Sequence, residues 1–108
     1  MKFRVEYSDE AKNDLKGFDK AKAQQVRKVI DRVSQNPMPK NEGGYGTPLG
    51  NKRGNNLTGL CRIKLLKLGI RVVYKVVREK EVMKIIVIAA RADDDVYEMA
   101  ANRMSMKY

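Results

Sequence analysis

The sequence predicts an α+β fold in which helices pack on a mostly antiparallel sheet. Two kinds of pattern support this prediction. Alternating or continuously apolar segments, typical of strands, occupy the beginning of the chain and most of residues 57–90. Helical periodicity appears within residues 8–35 and again after residue 93. The predicted order is β-α-α-β-β-β-α, with the two N-terminal helices on one face of the sheet and a C-terminal helix.

The first half of the chain is expected to form one strand and two helices. Charged and apolar residues alternate through residues 2–7, which predicts a half-buried strand. Ser8 can cap the first helix, and a second helix over residues 20–35 is expected to end before Pro37 and Pro39. The positions that these helices should bury are Ala11, Leu15, Phe18, Ala23, Val26, Ile30 and Val33.

The second half is rich in predicted strands. Residues 40–56 are polar and glycine-rich, and we expect a long loop there. Strands are expected over residues 57–66, 70–77 and 82–90, and the last of these is nearly all apolar, as is typical of a central strand covered on both faces. The carboxylates of residues 93–95 favour the N-terminus of a final helix. The apolar stripe of this helix comprises Val96, Met99 and Ala100.

Length and charge narrow the function classes. A chain of 108 residues fits one domain, expected over residues 1–108, and its hydrophobic fraction of 43% is enough for a core. The net charge of +10 indicates a polyanionic partner. The N-terminus has no apolar signal core, and the longest apolar run, residues 85–90, is too short to span a bilayer. We therefore expect a cytoplasmic protein with no membrane partner.

The residue types limit the chemistry. Cys61 is the only cysteine, so no intramolecular disulfide can form, and its apolar setting in a predicted strand is typical of a buried residue. Histidine, the commonest ribonuclease acid–base group and metal ligand, does not occur in the sequence. Any catalysis must therefore use Lys, Arg, Tyr, Asp or Glu side chains, and we expect neither a metal nor a cofactor.

Several candidate site residues are expected to meet at one patch. Arg62 and Lys64 are two residues apart on one strand, so they project from the same face. Arg71 opens the neighbouring strand, Arg91 follows the apolar strand, and Tyr97 lies in the last helix. Such alternation of charged and apolar residues is also typical of a solvated sheet face. A surface that binds RNA without turnover would show the same pattern.

The joint order of these motifs resembles the RelE toxins of the RelE/ParE superfamily over nearly the whole chain. The pattern consists of a strand with Arg62 and Lys64, a glycine turn into Ile70-Arg71-Val72-Val73-Tyr74, and an apolar strand followed by Arg91 and a helix with Tyr97. The resemblance implies a microbial ribonuclease-like fold. It also implies a toxin of a type II toxin–antitoxin system that cleaves messenger RNA in the ribosomal A site, without a metal, and so inhibits translation.

The resemblance also implies roles for single residues. The RNA's own 2′-hydroxyl attacks the adjacent phosphorus, with Lys64 assisting removal of the proton and Arg71 stabilising the phosphorane. Arg91 would lie near the leaving 5′-oxygen. Tyr97 would stack on or orient the nucleotide, or alternatively donate or accept a proton. Arg62 stands where the family often has lysine, so it keeps the charge needed to bind substrate but is a poor base.

Partners and rival functions complete the expectations. The resemblance implies a RelB-like antitoxin, encoded by the adjacent gene, with which the protein would bind operator DNA. Lys52 and Arg53, in the glycine-rich segment, could contact RNA or belong to a solvated loop. The tail over residues 102–108 could cap the site or bind ribosomal RNA. The rival functions are a ParE-type, non-enzymatic inhibitor of DNA gyrase and a basic RNA- or ribosome-binding module without turnover.

Overall fold

The structure, a computed structural model, describes residues 2–107, with side chains for residues 2–105. Within this range the chain forms a five-stranded sheet and three α-helices. The strands are β1 (Arg4–Tyr7), β2 (Thr47–Lys52), β3 (Asn55–Leu65), β4 (Ile70–Val77) and β5 (Val82–Ala89). The helices are α1 (Asp9–Lys16), α2 (Lys20–Val33) and α3 (Asp93–Lys107), and short 3₁₀ turns occupy Lys40–Glu42 and Arg78–Lys80.

The sheet has the strand order β1-β5-β4-β3-β2. β1 pairs in parallel with β5, and the other neighbouring strands pair antiparallel. The predicted α+β class and the mostly antiparallel sheet are confirmed. β5 is an interior strand between β1 and β4 and is covered on both faces, which explains why its sequence is nearly all apolar.

Two hydrophobic clusters cover the two faces of the sheet. α1 and α2 pack on one face, where residues such as Val26 and Ile30 meet Ile85 of β5, as predicted. α3 packs on the opposite face, where Val96 lies in the same cluster as Val87. Ser8 caps α1, because its side chain accepts a hydrogen bond from the Ala11 amide, and Asp19 caps α2 in the same way through the Lys22 amide. The helix pair thus fixes the sheet from one side and leaves the other side for α3 and the candidate site.

The segment over residues 40–56, expected to be a loop, instead contains a strand and a tight hairpin. β2 is an edge strand with one buried side chain, Leu49, so it lacks the alternating apolar pattern that predicts strands. Its partner β3 begins two residues earlier than predicted. The hairpin turn consists of Arg53 and Gly54, both with positive φ (50° and 81°), the combination that a type I′ turn requires. Arginine is an uncommon residue at the first of these positions, so these two residues did not predict a hairpin.

An ion pair between α1 and α3 ties both helices to β5. The Arg103 guanidinium binds the Asp14 carboxylate through two nitrogens, at 2.7 and 3.1 Å. Arg103 also donates to the carbonyl of Ile86, and Asp14 accepts from the amide of Ile88 at 3.0 Å. The sequence left the role of the tail open, and the structure shows Arg103 largely buried in this ion pair. The side chain of Lys107 and all of Tyr108 lie outside the described residues.

Within residues 2–107, no helix is both long enough and apolar enough to cross a membrane.

Candidate active site

Three cations project from neighbouring strands beside the N-terminus of α3. We call them the cationic cluster: Arg62 and Lys64 of β3, and Arg71 of β4. The register pairs Lys64 directly with Arg71 across the two strands. Like charges in directly opposite positions repel each other and destabilise a sheet. The cluster therefore needs a compensating anion.

Asp93, the first residue of α3, supplies that anion. Arg71 Nε donates a short hydrogen bond to Asp93 Oδ1. Lys64 Nζ lies 3.4 Å from Asp93 Oδ2, and Arg62 Nη1 lies 3.9 Å from the same oxygen. One carboxylate is thus shared by the whole cationic cluster.

The electrostatics of Asp93 follow from these contacts. Burial is the largest single effect on its carboxyl group and by itself would raise the pKa. The hydrogen bonds from Arg71 and Lys64, together with their positive charges, outweigh it and hold the pKa of Asp93 below its ordinary value. The carboxylate is therefore ionised at neutral pH.

Arg62 links the cluster to Tyr97. Its Nη1 donates a 2.5 Å hydrogen bond to the Tyr97 hydroxyl. Its Nε is buried and has no hydrogen-bond partner among the described residues. The Tyr97 ring packs among the residues that α3 buries, with 5% of its surface exposed. The ring therefore offers no open face to a stacked base, and the hydroxyl is held by Arg62.

Arg91 is less well connected to the site than the cluster is. It lies two residues beyond the end of β5, and its carbonyl accepts a 2.6 Å hydrogen bond from Arg71 Nη1. Its side chain is exposed. Among the described residues, no hydrogen bond or ion pair joins the Arg91 guanidinium to the cluster. The backbone of Arg91 thus positions Arg71, while its side chain extends into solvent beside the site.

The β2–β3 hairpin places Lys52 and Arg53 next to the N-terminus of α3. Arg53 Nη1 lies 3.3 Å from the carboxylate of Asp94, an exposed pair whose contribution to stability is small. Lys52 and Arg53 line a cleft of about 310 Å³ together with Tyr97 and Glu98. The two residues predicted to contact RNA therefore lie on the same side of the molecule as the cluster, with Tyr97 shared between the cleft and the cluster.

Cys61 lies away from this constellation, on the side of the sheet covered by α1 and α2. Its side chain is buried, as predicted. Burial raises the pKa of the Cys61 thiol, which keeps it protonated and weakly nucleophilic.

Asp93 is the site residue that the sequence analysis missed. Its carboxylate was expected only to favour the start of a helix, as it also does. One signal could have indicated more: Asp93 and Tyr97 are four residues apart, so they lie on the same face of α3. That face points to the cluster, because Tyr97 contacts Arg62 and Asp93 contacts Arg71.

Solved structures identify the class of fold. The chain superposes on the Escherichia coli toxin RelE in the free state, an arginine-to-alanine double mutant, with a TM-score of 0.73 and 23% identity, covering 96% of this chain and 99% of that one. It also superposes on the toxin–antitoxin complex RelBE2 from Mycobacterium tuberculosis, with a TM-score of 0.68 and 18% identity, covering 84% of this chain and 100% of that one. The protein has the RelE fold.

A curated relative agrees with this class. Over 104 residues, the chain is 29% identical to a putative RelE-like toxin protein of Escherichia coli, covering 96% of this chain and 99% of that protein. No protein-family model matches the chain. The resemblance to RelE-type toxins that the sequence predicts is confirmed.

Proposed function

We propose that this protein is the toxin of a RelBE-type toxin–antitoxin system and that it cleaves messenger RNA in the ribosomal A site. The observation that carries the proposal is the convergence of Arg62, Lys64 and Arg71 on one anion-binding position beside the Tyr97 hydroxyl. Similarity to a putative RelE-like toxin over nearly the full length supports it. The protein would act in the cytoplasm, where ribosomes and messenger RNA are its partners.

The proposed reaction is an internal transesterification. The 2′-hydroxyl of the RNA attacks the adjacent phosphorus, and Lys64, which must first release a proton to solvent and become a neutral amine, accepts the hydroxyl proton. The bond from phosphorus to the 5′-oxygen breaks, which yields a 2′,3′-cyclic phosphate and a 5′-hydroxyl after the leaving oxygen gains a proton. Tyr97, whose hydroxyl is held by Arg62, is the group that supplies this proton. Arg91 lies on the same side and would approach the leaving oxygen once RNA is bound.

Arg71 is the residue best suited to stabilise the transition state. A phosphorane carries more negative charge on its equatorial oxygens than the starting diester, so a fixed guanidinium stabilises it preferentially. Arg71 is oriented by the hydrogen bond that its Nη1 donates to the carbonyl of Arg91. Its side chain is 23% exposed, which strengthens its interaction with an anion relative to a fully solvated cation.

An acidic antitoxin is the second partner of the proposal. The net charge of +10 favours a protein of opposite charge, and such charge complementarity accelerates association. A structural neighbour is a toxin–antitoxin complex. We infer that a RelB-like protein encoded by the adjacent gene would cover the cationic cluster and that the complex would bind operator DNA.

The test is single-turnover cleavage of messenger RNA on stalled ribosomes. Arg71→Ala should lower the rate by about a hundredfold or more, the scale observed when one oxyanion-stabilising donor is removed. Arg91→Ala is expected to have an effect of about the same size if its guanidinium reaches the leaving oxygen. The matched control is Arg27→Ala, because Arg27 is an exposed arginine of α2, on the opposite face of the sheet.

The products and a parallel assay distinguish the rival functions. A 2′,3′-cyclic phosphate at the new 3′ end is expected, and a 5′-phosphate product would exclude attack by the 2′-hydroxyl. Cleavage by Arg71→Ala at the wild-type rate would show that the cluster is not the active site. Supercoiling by DNA gyrase is measured with the same preparations. Inhibition of gyrase without any cleavage of messenger RNA would favour the ParE-type function instead.

A further inference from the structure

We infer that Asp93 is a specificity-determining residue: its carboxylate occupies the position of the scissile phosphate and must be displaced before RNA can bind productively. This inference rests on the proposed function, because it concerns the same site. It goes beyond that function by assigning to the protein an internal competitor of its own substrate.

The first step of the argument is geometric. Asp93 accepts a hydrogen bond from Arg71 and lies within ion-pair distance of Lys64 and Arg62. The proposed function places the scissile phosphate at the position on which these three side chains converge. A phosphate oxygen that accepts from Arg71 Nε would have to lie where Asp93 Oδ1 lies now, since a single N–H group makes one strong hydrogen bond.

The second step is electrostatic. A carboxylate and a phosphodiester are both anions, so holding both among three cations would leave them in mutual repulsion. The Asp93 side chain is 35% exposed, so it can turn into solvent without crossing a packed core. When Asp93 is displaced, its interactions with the cationic cluster are lost. The phosphate of the bound RNA then makes interactions with the same cations.

The neighbouring carboxylates of α3 do not make the contacts that Asp93 makes, so these contacts are not a general property of the helix N-terminus. Asp94 pairs with the exposed Arg53 of the hairpin, and Asp95 is exposed. All three residues lie in the first turn of α3 and interact favourably with its dipole. In the described structure, Asp93 is the member of this turn that contacts the cationic cluster.

The functional consequence is discrimination between substrates. Free RNA has to displace Asp93 with the binding energy of its own few contacts. Messenger RNA held in a ribosome brings additional contacts between the protein and the ribosome, and that energy can offset the displacement. Asp93 would thus suppress cleavage of free RNA more strongly than cleavage of ribosome-bound messenger RNA.

The first experiment measures competition for the anion position without any cleavage. Thermal unfolding of the wild type, Asp93→Asn and Asp95→Asn is followed while inorganic phosphate is titrated at constant ionic strength. Asp93→Asn should melt lower than the wild type without phosphate, because its cations then lack their anion. Phosphate should raise its melting temperature more than that of the wild type. Asp95→Asn removes the same charge from the same helical turn, so it reports the general effect of charge.

The second experiment measures substrate choice. The probe is a short free RNA with a 2′-deoxy nucleotide at the cleavage position, which can bind but cannot react. Asp93→Asn should bind it about tenfold or more tightly than Asp95→Asn does, a difference of about 1.4 kcal/mol. With a cleavable RNA, the ratio of the free-RNA rate to the ribosome-bound rate should rise for Asp93→Asn. Asp93→Glu, which keeps the charge, should resemble the wild type.

The outcomes separate this inference from the proposed function. Equal gains in melting temperature for the wild type and Asp93→Asn would overturn the inference, whether or not the protein cleaves messenger RNA. Slower cleavage by Asp93→Asn with unchanged anion binding would also overturn it, because Asp93 would then only position the cations. A wild type that cleaves nothing, together with the expected phosphate response, would refute the proposed function and leave the competition for the anion position established.

Discussion

The ion pair between Asp14 and Arg103 should be the polar interaction whose loss costs the most stability. Both side chains are largely buried, with 15% and 17% of their surfaces exposed. Asp14→Ala removes the acceptor for two guanidinium nitrogens and for the Ile88 amide. Breaking a buried ion pair by removing one partner costs about 3–5 kcal/mol, and the residual exposure places this case at about 3 kcal/mol.

The expected change is large enough to measure without ambiguity. For a domain of this size, about 3 kcal/mol corresponds to a fall in melting temperature of about 12 °C. The assay is urea unfolding followed by circular dichroism, applied to Asp14→Ala, Arg103→Ala and the double variant. Because each single variant leaves a charged or polar partner unpaired, the double variant should cost at least about 1 kcal/mol less than the sum of the two.

An exposed ion pair provides the control for this double-mutant cycle. Arg4 and Glu6 of β1 are 2.9 Å apart, with 69% and 40% of their side chains exposed. Glu6→Ala should therefore change the free energy of unfolding far less than Asp14→Ala does. If Asp14→Ala cost no more than Glu6→Ala, or if the cycle were strictly additive, α3 would not be held to β5 in the way described.

Two further predictions concern the site. Tyr97→Phe should keep the fold, because the buried ring remains. It should lower the rate of cleavage on ribosomes by about a hundredfold, because it removes the hydroxyl that supplies the proton. Cleavage by this variant at the wild-type rate would show that only the ring of Tyr97 matters. The pKa of Asp93 is lower in the folded protein than its ordinary value of 3.8. The ionised carboxylate therefore stabilises the folded state fully at pH values above 3.8. This stabilisation is lost as the pH falls through the lower pKa of the folded protein. The difference in unfolding free energy between the wild type and Asp93→Asn should thus be full at pH 7 and shrink in acid, and a difference that grew in acid would contradict the sign of the shift.

The parts of the fold that the sequence predicted are those with a strong periodic pattern. β5 has an almost unbroken apolar run, and α2 has apolar residues at helical spacing followed by prolines, so both were predicted to within a few residues. β2 escaped prediction because an edge strand is held by backbone hydrogen bonds to one neighbour and buries little. Its sequence, Thr47-Pro48-Leu49-Gly50-Asn51-Lys52, therefore has no alternation to detect.

The sequence predicted the three cations of the candidate site, but it did not predict that Asp93 contacts them. Arg62 and Lys64 share a face because they are two apart on a strand, and Arg71 is brought opposite Lys64 by a short turn, so local rules sufficed. The contact between Asp93 and Arg71 depends on where α3 leaves the sheet, which no local pattern specifies. The same is true of Asp14 and Arg103, which are 89 positions apart in the chain.

The positive charges of the cationic cluster would favour binding of a phosphate, but they repel each other and so destabilise the fold. Its three side chains are partly desolvated, with 18%, 33% and 23% of their surfaces exposed, so their mutual repulsion is stronger than it would be in open water. Without an anion they would destabilise the two strands that carry them. Asp93 relieves this repulsion in the described structure, and under the proposed function the phosphate of the RNA would relieve it once Asp93 is displaced. The cationic cluster would therefore have an anionic partner both before and after RNA binds. Binding would exchange one anion for another and would not require the three side chains to take up a new arrangement.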